Sequence, residues 1–112
     1  MYTRLSAAMA ALLLSGAAHA GDWKQDHPRR AEVNSRLNNQ NKRIRDGVED
    51  GQLTKGQAKQ LHQEDHAIRQ QERAMAAQHG GHITKADQRQ LNQEENQVSR
   101  QIYDEKHPAA TK

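Results

Sequence analysis

Two histidines, His62 and His66, stand four residues apart in a stretch of chain that otherwise reads as helix. That spacing sets two imidazoles on one helical face, where both can reach a single transition-metal ion. Two ligands hold such an ion weakly, so a third donor would have to come from Asp65, from His79 or His82, or from another subunit. Around the helix the pair falls away from the apolar positions Leu61 and Ile68, and Asn92 and Asn96 occupy the equivalent places in a later helix. The expectation is two polar surface histidines and no cofactor, with weak metal binding through His62 and His66 as the alternative.

The other chemistry-bearing groups are carboxylates. Asp46, Asp50, Gly51 and Leu53 fall at the first, fifth, sixth and eighth places of an EF-hand loop, but Val48 and Gln57 stand at the third and twelfth, where calcium needs hard oxygen ligands. A second such loop has Ala76, Gln78 and Gly80 at its ligand places. The paired acids Glu64-Asp65 and Glu94-Glu95 read as solvated helix face rather than acid/base machinery. Ser35 and Ser99 have no neighbouring His and Asp in a triad setting, and the chain has no cysteine. No catalytic residue is assigned, and no enzyme is expected.

The elements that carry these groups are repeated. GQLTKGQAKQLHQED, beginning at Gly51, returns thirty residues later as GHITKADQRQLNQEE, beginning at Gly81. In each copy a glycine turn leads through Leu53 or Ile83 to a threonine, Thr54 or Thr84, able to cap a helix; Gln57 and Asp87, three residues on, complete capping boxes. Apolar residues at helical spacing extend the pattern: Val33, Leu37, Ile44 and Val48; then Ala58, Leu61, Ile68 and Met75; then Leu91, Val98 and Ile102. Helices are expected over 31–47, 54–78 and 84–106, the first ended by Asp46-Gly47 and Glu49-Asp50-Gly51. The fold class is all-α: three amphipathic helices in antiparallel hairpins, built on a thirty-residue GxLT-helix repeat. Each helix has a polar residue in the middle of its apolar stripe, Asn41, Asp65 or Glu95. The expected reading has these face water, Asp65 pairing with Arg69; the alternative is a buried polar layer that fixes helix register.

The first twenty residues have the form of a secretory signal peptide: Arg4, an apolar stretch from Leu5 to Leu14, then Ala18-His19-Ala20. Cleavage after Ala20 leaves 92 of the 112 residues and a periplasmic or secreted protein without stable membrane insertion. With no Cys there is neither a lipid anchor at the new terminus nor a disulfide framework. Residues 21–30, GDWKQDHPRR, lack periodicity and read as a disordered arm; 31–107 form the helical repeat domain and 108–112 a disordered tail. Loss of Arg4 leaves 16 basic residues against 14 acidic, interspersed along the chain, which is no footprint for nucleic acid.

LTKGQAKQL, at Leu53 to Leu61, resembles the LTxxQ motif of the small periplasmic stress proteins of the Spy and CpxP type through Leu53, Thr54 and Gln57. The second copy departs from that motif at Ile83 and Asp87. The resemblance implies an exported, all-helical, Cys-free protein, often dimeric, that holds unfolded or stressed envelope proteins. The tandem cassettes and the Ile102 to His107 ending are also similar to small exported proteobacterial proteins of unassigned function. Beyond the signal the large apolar residues are few, and three narrow stripes are expected to leave apolar surface open or shared. A homodimer follows from that, with unfolded or envelope proteins as partners and holdase-like behaviour as the function.

Overall fold

The computed structural model describes residues 22–108. The expected signal peptide lies outside the described residues, as do 109–112 of the expected tail. Three long helices follow one another: α1 (Pro28–Glu49), α2 (Lys55–Ala77) and α3 (Lys85–Lys106). A short helical segment, 22–26, precedes them, and no strand occurs among the described residues.

Contacts between side chains fix the topology. Arg30 meets Glu72 while Asn41 meets His62, so α1 and α2 run antiparallel. Gln40 meets Glu95 while Arg43 meets Ser99, so α1 and α3 run parallel. The result is an up-down-up bundle in which each helix packs against both others.

The helix starts follow from local chemistry. Thr54 and Thr84 sit in extended conformation ahead of α2 and α3, and each hydroxyl accepts from the backbone N–H three residues on, at 3.0 Å. Gln57 and Asp87 accept in return from the threonine N–H groups, completing both capping boxes. α1 opens differently. Pro28 takes a first-turn position, where its missing N–H costs nothing, and His27 caps without a side-chain bond.

Two boundaries differ from the sequence expectation. Residues 22–30, expected as a disordered arm, are helical apart from His27. A stack explains this: Trp23 lies 4.7 Å from the His27 ring and His27 lies 4.5 Å from the His82 ring, centroid to centroid. The guanidinium of Arg30 covers the Trp23 ring at 5.3 Å. These contacts hold the segment against the turn before α3, giving an aperiodic stretch a tertiary reason to order.

Gly47 also does not end α1, which continues to Glu49. It is buried, and a Cβ built there would lie 2.7 Å from Leu53 Cδ1 and 2.9 Å from Leu53 Cγ. Its carbonyl accepts from both Gln52 and Leu53, closing the helix end. The left-handed residue of this turn is Gly51, at φ 76°. Gly47 is thus a packing glycine that admits Leu53. Gly47→Ala is expected to cost about 1–3 kcal/mol through overpacking, read as a lower urea midpoint; an unchanged midpoint would contradict this.

The core consists of Val33, Leu37 and Ile44 from α1, Ala58, Leu61, Ile68 and Ala76 from α2, and Leu91, Val98 and Ile102 from α3, with Leu53 and Ile83 from the turns. Buried positions step by four and three, as in α1 at 33, 37, 40, 44 and 47. That is a coiled-coil seam, and three seams meet on one axis. They cover one another: Tyr103, 52% exposed, is the exposed large hydrophobic among the described residues. The open apolar surface expected from narrow stripes is absent there, because three narrow seams suffice to enclose a narrow core.

Candidate functional site

The seam positions that should hold apolar side chains include four that do not. Gln40 on α1, Asp65 and Glu72 on α2 and Glu95 on α3 are 4%, 2%, 1% and 0% exposed. Asp65 lies between Leu61 and Ile68 in its seam, and Glu95 between Leu91 and Val98. The four-three stepping that buries the leucines therefore buries the carboxyls as well. Asp65 and Glu95 do not face water as expected; they belong to a buried polar layer.

The third member of that layer is Gln40 rather than Asn41. Both lie on the inner side of α1, but the seam runs through Gln40, and Asn41 is only partly buried. Gln40 donates through Nε2 to the backbone carbonyl of Glu95 at 2.6 Å. Its amide thus joins α1 to α3 at the level of the carboxyls.

Glu72 and the other two acids are treated differently. Arg30 Nε stands 3.0 Å from Glu72 Oε2, and Arg30 Nη1 donates to the carbonyl of Gly81 at 3.1 Å. One guanidinium thereby satisfies a buried carboxylate, a turn carbonyl and the face of Trp23. Neither oxygen of Asp65 and neither oxygen of Glu95 has a hydrogen-bond partner among the described residues. The nearest cation to Glu95 is Arg36, with Nη1 3.6 Å from Oε1, and its other terminal nitrogen is engaged by Asn96 Oδ1. Arg69 does not pair with Asp65; it reaches across to Asn34 and Asn38 on α1.

Burial dominates the electrostatics of the pair. It pushes the Asp65 carboxyl up to about 7, aided by the charge of Glu64 and opposed by Arg69 and Arg43. It pushes Glu95 up to about 8, opposed by Arg36 and aided by Glu32, Asp65 and Glu72. Both acids are therefore largely protonated in mildly acidic solution and ionise around neutrality. The arrangement places two carboxyls raised by burial inside the seam, away from the bundle surface.

The remaining sequence candidates are dispersed. His62 is partly buried, its Nδ1 2.8 Å from Asn41 Oδ1, and burial moves its imidazole down from the ordinary range. His66 is exposed, with Nε2 beside the Gln70 amide at 3.1 Å. Among the described residues no three of His, Cys, Asp and Glu are arranged to hold a metal ion. Asp46, first of the EF-hand-like acids, pairs with Lys42 at 2.8 Å, and Asp50 caps the end of α1. Glu64 and Glu94 line a shallow groove between α2 and α3 with Ile68 and Val98.

Sequence reasoning missed Glu72, Gln40 and Arg30. The signal for Glu72 was present in the seam stepping of 58, 61, 65, 68 and 72. Nothing local marks Arg30, whose partners lie 42 and 51 residues away. No helix among the described residues is long and apolar enough to cross a membrane. Comparison of the chain with protein-family models, curated proteins and solved structures gives no match.

Proposed function

We propose that the chain is a non-enzymatic, exported helical binding protein that works in the periplasm as a holdase for unfolded or stressed envelope proteins, and that the closed bundle is its client-free form. The signal-peptide form of residues 1–20 and the likeness of LTKGQAKQL to the LTxxQ motif support export and a stress role. The thirty-residue GxLT-helix cassette supplies two equivalent helices whose apolar seams serve one another in the closed form. One structural observation carries the binding reading. The seam that holds the buried apolar core also contains Asp65, Glu72, Glu95 and Gln40.

A bundle meant only to be stable would place apolar residues at those positions, since buried ionisable groups lower stability relative to well-packed hydrophobic ones. A bundle meant to open is served by them. Client capture follows from parting the helices, and the arginines and glutamines beside the seam then offer adaptable hydrogen bonds around an apolar client segment. Homodimers form by the same route, one opened seam meeting another. The test uses the protein isolated from the periplasm. Its N-terminus is expected at Gly21, and in molar excess it slows light scattering by a chemically denatured client without ATP. Unchanged aggregation curves under conditions where the protein binds an apolar dye would overturn the holdase reading.

A further inference from the structure

We propose that Asp65 and Glu95 form a pH-sensitive latch inside the bundle: protonated, they allow α2 and α3 to close over the seam, and ionised, they part the helices and uncover it. The proposal stands on position and partners. The two carboxyls occupy equivalent places of the thirty-residue cassette, on two helices packed against each other, each between two buried apolar residues of its own seam. They are 2% and 0% exposed, and none of their four oxygens accepts a hydrogen bond among the described residues.

Glu72 provides the internal contrast. Equally buried in the same seam, it has a guanidinium at 3.0 Å. Asp65 has no cation in ion-pair contact among the described residues, and Glu95 has only Arg36 Nη1 at 3.6 Å, beyond hydrogen-bond reach, so their charge is compensated less well than that of Glu72. None of the nearby arginines donates a hydrogen bond to either carboxyl, so an ionised carboxylate in that position gains solvation when the seam separates.

The charged groups around the pair set the direction. Asp65 is faced by Glu64 and Arg69 on its own helix, by Arg43 on α1 and by Glu95 on α3. Glu95 is faced by Arg36 and Glu32 on α1 and by Asp65 and Glu72 on α2. Acids accompany the arginines on both sides, and burial outweighs both. Ionisation of one carboxyl then opposes ionisation of the other while the seam stays shut, so release of both protons and opening occur together. The folded pair binds more protons than the unfolded chain over the window between the ordinary carboxylate range and about 7 to 8. The bundle is therefore tightest in acid and loosens as pH rises, opposite to a carboxylate stabilised by an ion pair.

Use of the latch for clients rests on the proposed function; the latch itself does not. The experiment separates them. Urea midpoints by far-ultraviolet circular dichroism, and binding of an apolar dye, are measured on the periplasmic protein at about pH 5 and about pH 9, for the wild type and for Asp65→Asn/Glu95→Gln, which copies the protonated carboxyls in shape without charge. The wild-type midpoint is expected to fall and dye fluorescence to rise severalfold at the higher pH, with both nearly constant in the variant. A wild-type midpoint that holds or rises, or an equal fall in the variant, overturns the latch. Should the double variant not fold, Glu95→Gln alone is expected to show a clearly smaller fall than the wild type, and an equal fall overturns the proposal. Client aggregation in the same two buffers bears on the holdase reading. Protection confined to the higher pH joins the two, while its absence alongside a falling midpoint retains the latch and removes the client.

Discussion

Replacing Arg30 by alanine is expected to cost about 3–5 kcal/mol, because it leaves Glu72 as an uncompensated charge in the seam. Glu72 is 1% exposed, and its carboxylate has Arg30 Nε at 3.0 Å. The same guanidinium donates to the Gly81 carbonyl and covers Trp23, so its loss also removes one of the contacts that hold the segment 22–26 against the turn before α3. A domain of this size has a total stability of about 5–13 kcal/mol, which makes the loss a large fraction of the whole. Urea denaturation of Arg30→Ala measures it. Adding Glu72→Leu is expected to restore most of the loss, since the orphaned charge goes with the carboxyl. A cost under about 1 kcal/mol, or no recovery in the double variant, would show that Arg30 is a surface residue in energetic terms.

The second large effect has the opposite sign. Asp65→Leu/Glu95→Leu is expected to stabilise the bundle at about pH 8 by on the order of 4 kcal/mol or more, and by much less at about pH 4. The sign follows from proton binding. Burial raises both folded carboxyls, Asp65 to about 7 and Glu95 to about 8, while in the unfolded chain both ionise near the ordinary value. Their protonated forms fit the seam, so the fold is undiminished below about pH 4 and loses stability as pH climbs toward 8, after which the loss levels off. Leucine at both places removes that slope. A variant less stable than the wild type at alkaline pH would mean that the carboxyls hold the helices together.

Much of the fold is legible in the chain because it is written in local chemistry. Thr54 with Gln57 and Thr84 with Asp87 place two helix starts through bonds that span only three residues. Gly47 was harder, since a glycine near a helix end reads as a terminator, and only the approach of Leu53 shows it to be a packing residue. Residues 22–30 carry no period, and their helix depends on His82 and Glu72, brought close by the fold alone. The candidate site was half visible. Asp65 and Glu95 stand out as polar residues in apolar stripes, yet whether a stripe is covered depends on how many helices share the axis, which spacing within one helix does not state. Gln40 and Asn41 both face inward, and the choice between them is made by the register of α1 against α3.

The latch and the pH-dependent stability both require the two seam carboxyls to titrate well above the ordinary carboxylate range. Carbon-13 NMR titration of the side-chain carboxyls of Asp65 and Glu95, assigned by comparison with Asp65→Asn and Glu95→Gln, reads it directly. Midpoints near the values set by burial, about 7 for Asp65 and about 8 for Glu95, with broadening of core methyl resonances over the same range, are expected. Midpoints near 4 for both carboxyls, with the methyl resonances unchanged to alkaline pH, would contradict it.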